Sequence, residues 1–197
     1  NDALSDNLDS YWNFTSQSEG TANMIVEITA NDSINEIGIF DSSNHNNKLT
    51  MFKSDMGPGK TVQIKTKDGS YAYFESVLTD EPYGLVDEKQ FNSRTFGFYM
   101  NINESYYYSD SSLNLNGLDQ MAAFQGNGQQ VDLTGVTKNV YGAWTSDEYL
   151  LAWEDGRLGD KDYQDTVLSI ESVKPIPEPT TMLLFGTGLL GLAGLGR

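Results

Sequence analysis

The sequence contains no cysteine and only one histidine, His45, among its 197 residues. Without thiols the chain can form neither disulfides nor thiolate zinc sites, and it has no cysteine nucleophile. A chain of this length does not need disulfides, because its hydrophobic core can be large enough for stability. His45 lies in a polar run of Asn and Ser residues, which favours a solvated turn residue over the base of a Ser-His-Asp triad.

Basic residues are few, with 12 Lys and Arg against 28 Asp and Glu, so the formal net charge is −16. Phosphate binding needs a basic face, and the charge therefore excludes nucleic acid as a partner. The acidity suits an extracellular protein whose carboxylates bind cations that offset their mutual repulsion. Solubility alone is an equally good reason for the acidity.

Helical periodicity is missing before residue 180, and short apolar runs alternate with turn residues instead. TVQIKTK at 61–67 alternates apolar and polar side chains with a period of two, which is typical of half-buried strands. Without helical crossovers, such runs predict an all-β fold, an antiparallel β-sandwich of jelly-roll-like form, with a barrel as the alternative. The predicted strands are 24–29, 37–40, 48–52, 61–67, 71–78, 95–102, 120–125, 148–155 and 165–173.

The composition changes after residue 173. Pro175, Pro177 and Pro179 predict a stiff extended spacer, because proline suits neither a helix interior nor a central strand. Residues 182–195 are then apolar or small throughout, and as a helix they would span roughly 21 Å of a hydrocarbon core roughly 30 Å thick. The predicted organisation is a lead-in segment at 1–20, a β-sandwich domain at 21–173, a Pro-rich linker at 174–181 and an apolar tail at 182–197.

The Pro177-Glu178-Pro179 triplet, followed by a tail rich in Gly and Leu, resembles a PEP-CTERM sorting signal. Signals of that family end in a short basic cluster, of which this chain has only Arg197. The resemblance implies export in a Gram-negative bacterium, transient anchoring in the inner membrane by the tail, and processing by an exosortase. It places the protein at the cell surface or outside the cell.

A second resemblance lies in the body of the chain. WED at 153–155, a short loop and GDKDYQD at 159–165 together resemble the signature of the domain of unknown function 4114. The resemblance extends over most of residues 11–197, and Gln164 stands where that family usually has Asn. It implies a secreted, non-enzymatic β domain that binds calcium.

Carboxylates crowd the loop between the last two predicted strands. Calcium takes six to eight oxygen ligands and tolerates irregular geometry, and Asp at alternate positions of a loop can direct several carboxylates inward. A hairpin between 148–155 and 165–173 brings both ends of this loop together. The alternative is a solvated hairpin whose Asp and Gly residues only form turns. The predicted calcium ligands are Asp160, Asp162, Asp165, Asp155 and Glu154.

A second oxygen-rich loop, at 107–121, carries Asp110, Asn114, Asn116 and Asp119. These residues either complete the same metal site or cap the ends of strands. Catalysis by a pair of carboxylates requires a cleft between them, and the sequence does not indicate one. We therefore predict no catalytic residues and no enzymatic activity.

The predicted function is that of a calcium-stabilised structural protein of the cell surface or of a biofilm's extracellular matrix. An apolar tail needs burial in lipid or in another subunit, so we expect subunits to assemble head to tail into filaments, by strand addition to an open sheet edge. The rival hypothesis is a carbohydrate-binding module that attaches cells to matrix polysaccharide. Its sugar platform would consist of the tyrosines at 106–108 with Trp12, Trp144 and Trp153. Aromatic residues at period two, however, more often pack a sheet face.

Overall fold

The computed structural model of the protein describes residues 4, 6–15, 19–27, 34–56, 59–67, 72–132, 141–154, 163 and 166–176. They form one short helix, α1 (Asp6–Asp9), and two 3-10 turns at Ser111–Leu113 and Leu115–Gly117. The strands are β1 (Tyr11–Phe14), β2 (Glu19–Glu27), β3 (Ile34–Asp41), β4 (Asn44–Lys53), β5 (Thr61–Thr66), β6 (Tyr73–Leu78), β7 (Gly84–Gln90), β8 (Phe96–Ile102), β9 (Ser105–Tyr108), β10 (Met121–Gln125), β11 (Gln129–Asp132), β12 (Tyr141–Trp144), β13 (Glu148–Trp153), β14 (Thr166–Glu171) and β15 (Val173–Ile176).

The strands form two antiparallel sheets and a separate β11–β12 hairpin. The six-stranded sheet has the order β15-β1-β8-β3-β4, with β9 also paired to β8, and the seven-stranded sheet has the order β10-β13-β14-β2-β5-β6-β7. Every predicted strand overlaps an observed one, and the antiparallel β-sandwich is confirmed. In the described parts of the chain, no helix combines the length and apolar character that crossing a membrane requires.

Side chains from the inner faces of both sheets share one hydrophobic core. The burial of β5, β6 and β14 alternates along each strand, as expected for strands with one face on the core. Trp12 of the six-stranded sheet contacts Tyr149 of the other edge to face, with ring centroids 4.9 Å apart, and Phe14 lies 5.5 Å from Phe74. These aromatic contacts join the two layers.

The predicted lead-in at 1–20 contains part of the sandwich. β1 pairs with β15 along its whole length, and Trp12 pairs with Phe96 of β8. The Trp12 side chain is fully buried, and its Nε1 donates to the Asp9 carbonyl at 2.6 Å. A strand with only two inward residues gives too short an alternation to stand out in the sequence, which is why the boundary at residue 20 differs from the structure.

The predicted linker at 174–181 also begins inside the fold. β15 extends to Ile176 and pairs with β1, so that Pro175 lies opposite Trp12. Proline is tolerated here because β15 is the outermost strand of its sheet, where one side of the backbone needs no ladder partner. Pro175 therefore belongs to the sandwich, whereas Pro177 and Pro179 lie outside the described residues.

Hydrogen bonds reach strands at both open sides of the sandwich. On one side β4 faces β7: the Thr50 amide donates to Asp87 Oδ2 at 2.9 Å, and Asn47 Nδ2 donates to the Gln90 carbonyl at 2.7 Å. On the other side the Leu4 amide donates to the Ala123 carbonyl of β10 at 2.8 Å. These contacts leave the start of β7 open, where Tyr83 and Leu85 are exposed.

Gly38 offers a direct test of how closely β3 and β4 approach. A Cβ at this position would lie 2.1 Å from the Leu49 carbonyl oxygen and 2.8 Å from Cε1 of Tyr99. We expect Gly38→Ala to lower the free energy of unfolding by about 1–3 kcal/mol, because the added methyl overpacks the sheet. Urea unfolding measures the change.

Gly142→Ala is the matched control, since a Cβ there would meet nothing within 4 Å. It should change the free energy of unfolding by less than about 0.5 kcal/mol. Equal unfolding midpoints for the two variants would contradict the described packing of β3.

Candidate metal centre

The acidic loop is anchored at one end of the seven-stranded sheet. β13 and β14 pair in register from Glu148 opposite Glu171 to Trp153 opposite Thr166. The chain between them, 154–165, therefore leaves and re-enters the sheet at the same end. The predicted hairpin is confirmed. Four of the predicted ligands lie outside the described residues, namely Asp155, Asp160, Asp162 and Asp165.

Glu154, the remaining predicted ligand, is buried at the start of this loop. Only 2% of its surface is exposed. Its amide donates to the Gln120 carbonyl at 3.0 Å, which fixes the backbone as it leaves β13. Its Oε2 accepts a hydrogen bond from the amide of Tyr163 at 3.1 Å. The carboxylate thus joins the two ends of the loop.

Tyr163 ties the loop to a third segment of the chain. Its hydroxyl donates to the Asp119 carbonyl at 2.9 Å, just before β10. Its backbone has a φ of 52°, in the left-handed region that is unfavourable for a bulky residue. A residue keeps this conformation when its surroundings hold it there, and here hydrogen bonds fix both its amide and its hydroxyl.

The second oxygen-rich loop is held mainly by bonds within itself and to β1 and β9. Asp110 is buried, accepting from the Tyr11 hydroxyl at 2.5 Å and from the Ser112 amide at 2.9 Å, so that it caps a 3-10 turn. Asn114 makes hydrogen bonds to both backbone groups of Tyr108, at 2.8 Å for the amide and 2.7 Å for the carbonyl. Asn114 thus caps the end of β9, whereas Asp110 caps a turn.

Asn116 and Asp119 occupy different surroundings in this loop. Asn116 is exposed, with a left-handed φ of 58°. Asp119 accepts from the Met121 amide through Oδ1 at 3.3 Å, and its carbonyl receives the Tyr163 hydroxyl. Of the predicted residues of this loop, Asp119 is thus the one with a described contact to the acidic hairpin, next to the Gln120 carbonyl that accepts from Glu154.

The described groups fit a hard cation in their chemistry, because carboxylates and backbone carbonyls are the ligands calcium prefers. A carboxylate as buried as that of Glu154 is costly unless hydrogen bonds or a cation offset its charge. Within the described ranges, no three His, Cys, Asp or Glu side chains are grouped closely enough to hold a metal ion. A complete site here would therefore need the carboxylates of residues 155–165.

An aromatic cluster on the outer face of the six-stranded sheet contains Tyr106 and Tyr108, two of the tyrosines predicted as a sugar platform. Lys48 Nζ lies 4.5 Å from the ring centroid of Tyr106 and 5.4 Å from that of Tyr108. Burial lowers the pKa of Lys48, while the nearby Glu36 carboxylate acts in the opposite direction. Tyr106 is 41% exposed. The period-two spacing of Tyr106 and Tyr108 on β9 was the sequence feature that indicated a shared face of the strand.

The other aromatic residues predicted as a sugar platform are largely buried, and Trp12 and Trp153 are fully so. Trp144 is 9% exposed, and Tyr107 packs against the main core. Neither presents an open ring face in the way that Tyr106 does.

Comparisons with known families agree with both resemblances. Residues 83–173 match the model of the domain of unknown function DUF4114, and residues 175–197 match the PEP-CTERM protein-sorting motif. The chain is therefore similar to DUF4114 domains over 83–173, and this segment is followed by a PEP-CTERM motif. The motif marks a protein for export to the cell surface of a Gram-negative bacterium, with transient membrane anchoring and exosortase processing. No curated protein and no solved structure matches the chain.

The DUF4114 match covers only part of the sandwich. It includes β8 and β14, yet their neighbours β1, β3 and β2 precede residue 83. β2 separates β14 from β5 within one continuous sheet. The folding unit is therefore larger than the matched segment, because the matched strands need earlier strands as hydrogen-bonding partners.

The Tyr163 hydroxyl tests the link between the hairpin loop and the segment before β10. Tyr163→Phe removes the donor to the Asp119 carbonyl, and we expect a loss of about 1 kcal/mol. For a chain of this size the melting temperature should fall by about 2–4 °C. Tyr83→Phe is the control, since Tyr83 is 68% exposed. An equal effect of the two substitutions on thermal melting would contradict the described contact.

Proposed function

We propose that this exported protein is a non-enzymatic structural component of the cell surface or extracellular matrix, and that calcium holds its last hairpin rigid. The observation that carries the proposal is the buried Glu154 carboxylate, bonded to the Tyr163 amide where the acidic loop begins. The sequence between these two residues supplies Asp155, Asp160 and Asp162, and Asp165 follows. Glu154 is thus fixed beside a concentration of carboxylates.

The choice of calcium follows from the chemistry of the loop. Its ligands are hard oxygens, and the net charge of −16 favours uptake of divalent cations. Magnesium demands near-ideal octahedral geometry and keeps several waters, whereas calcium accepts irregular sets of carboxylates and carbonyls. Carboxylates at irregular spacing along a loop suit the more tolerant ion.

Cation binding at this loop would stabilise the strands that precede the sorting motif. β14 lies between β13 and β2 inside the seven-stranded sheet, and β15 follows it after Ser172. A cation that joins the ends of β13 and β14 would oppose fraying of this hairpin. A structural surface protein gains from a rigid hairpin, because its proposed role is mechanical and does not require the site to open.

The absence of enzymatic activity is part of the proposal. A glycosidase needs two carboxylates that face each other across a substrate cleft. Glu154 is instead buried and accepts a hydrogen bond from a backbone amide. That arrangement suits a group that positions a loop and is poorly suited to exchanging protons with a substrate.

Thermal melting in calcium and in chelator tests the metal proposal. Calcium at one hundred times its dissociation constant should stabilise the fold by about 2.7 kcal/mol, because it binds only the folded state. Asp162→Asn should remove most of this gain. Asp147→Asn is the matched control, since it removes the same charge from the turn at the opposite end of β13.

Two results would contradict the metal proposal. One is an unchanged melting temperature of the unsubstituted protein when calcium replaces chelator. The other is an equal loss of the calcium effect in Asp147→Asn and Asp162→Asn, which would indicate nonspecific screening of the net charge.

Self-association into filaments extends the same proposal. The start of β7, an outermost strand, is flanked by two exposed apolar side chains, Tyr83 at 68% and Leu85 at 57%. An edge with exposed apolar groups favours strand addition by a second copy. Sedimentation velocity should show large species that Leu85→Asp disperses, and a monomer at every concentration would oppose assembly.

A carbohydrate-binding module is the alternative function, and the exposed ring of Tyr106 is the observation that favours it. Sugar rings stack on aromatic faces, while Lys48 and Glu36 lie close enough to exchange hydrogen bonds with hydroxyls. Native gels containing hydroxyethyl cellulose or dextran should retard the protein, and Tyr106→Ala should abolish the retardation. Tyr83→Ala, at a more exposed but isolated tyrosine, should be retarded normally. Unretarded migration of the unsubstituted protein in both gels would exclude this alternative for neutral glucans.

A further inference from the structure

The sorting motif overlaps the last strand of the sandwich. The matched motif begins at residue 175, whereas β15 extends from Val173 to Ile176. Pro175 lies opposite Trp12, and Ile176 lies opposite Tyr11. The first two residues of the motif are therefore part of the folded sheet, and Pro177 is the residue that follows it.

This overlap restricts how a processing enzyme can bind the motif. An enzyme that processes a peptide commonly binds it as an extended strand, through the same backbone groups that a sheet uses. One residue advances the chain by at most about 3.6 Å, so Glu178 is within about 7 Å of chain from Ile176. An exosortase that binds residues before the Pro-Glu-Pro triplet would thus compete with β1 for the backbone of β15.

We infer that β15 separates from β1 before the exosortase processes this protein. In the paired state the edge strand shields the segment before the triplet, and in the released state the enzyme binds it. The folded domain thereby controls access to its own sorting motif. The inference rests on strand register and motif position, and it stands whether or not calcium binds the last hairpin.

The structure of β15 is suited to release. The strand is four residues long, it is the outermost strand of its sheet, and Pro175 has no amide hydrogen to donate. Lys174 is exposed and Ile176 is half-buried, so separation of these residues uncovers little apolar surface. Opening at such an edge is local and leaves the core intact.

The separation of β15 from β1 should stop at Val173. This residue is 4% exposed and belongs to the main core, and the preceding Ser172 accepts a hydrogen bond from the Thr15 amide at 2.9 Å. Ser172 also has a φ of 62°, which marks a bend between β14 and β15. The strand would therefore separate from Lys174 onward while Val173 remains in the core.

An engineered disulfide across the β1–β15 pair tests the inference. Asn13 and Lys174 are register partners, and in the alternating burial of their strands both occupy outward positions. Partners in antiparallel strands have Cα atoms about 4.5–5.5 Å apart, within the range that a disulfide spans. The chain has no cysteine of its own, so Asn13→Cys with Lys174→Cys gives a single bond.

The measurement is processing of the full chain by membranes that contain the exosortase, followed as loss of the tail by intact mass. We expect the oxidised Asn13→Cys, Lys174→Cys protein to be processed at least tenfold more slowly than its reduced form. Gln130→Cys with Ala143→Cys is the control, because these partners lie in the separate β11–β12 hairpin. Its disulfide should leave the rate unchanged.

A second variant separates blocked access from general damage. Six Gly and Ser residues inserted between Ile176 and Pro177 move the triplet away from the sheet by about 13 Å on average. This insertion should restore processing of the disulfide-locked protein. Equal rates for the oxidised and reduced forms would overturn the inference, and so would failure of the insertion to restore processing.

Discussion

The buried carboxylate of Glu154 is the constraint on which the last hairpin depends. Burying a carboxylate is costly, and its environment must offset the charge through hydrogen bonds or a cation. Here the Tyr163 amide provides a hydrogen bond, and the Tyr163 hydroxyl extends the link to the Asp119 carbonyl. The acidic loop and the segment before β10, which is distant in sequence, are thereby joined at one end of the seven-stranded sheet. A cation bound by the neighbouring aspartates would stabilise these same contacts.

The acidic loop, β15 and the sorting motif follow one another along the chain. β14 leaves the acidic loop for the interior of the sheet, Ser172 bends the chain, and β15 ends where the Pro-Glu-Pro triplet begins. β15 is in turn held by β1, whose Trp12 contacts Tyr149 of the opposite sheet. The export signal is therefore attached to the packed core through a short strand at the edge of its sheet.

The sequence predicted most of the long strands but neither β7, whose burial does not alternate, nor the short ones. TVQIKTK has enough alternation to identify β5, whereas β1, β9 and β15 have four residues each and at most two inward side chains. Pro175 also argued against a strand at β15, because proline is tolerated only in edge strands. The sequence does not show which strands lie at an edge. The acidic hairpin was predictable from local spacing. Its contact with Asp119 was not, because Tyr163 and Asp119 are 44 residues apart.

The most direct test of the account is amide hydrogen exchange of the full chain in calcium and in chelator. If calcium joins the ends of the last hairpin, amides of β13 and β14 next to the loop, around Trp153 and Thr166, should exchange at least severalfold more slowly in calcium. The distant β11–β12 hairpin should exchange at the same rate in both conditions. Identical exchange at Trp153 and Thr166 with and without calcium would contradict the account.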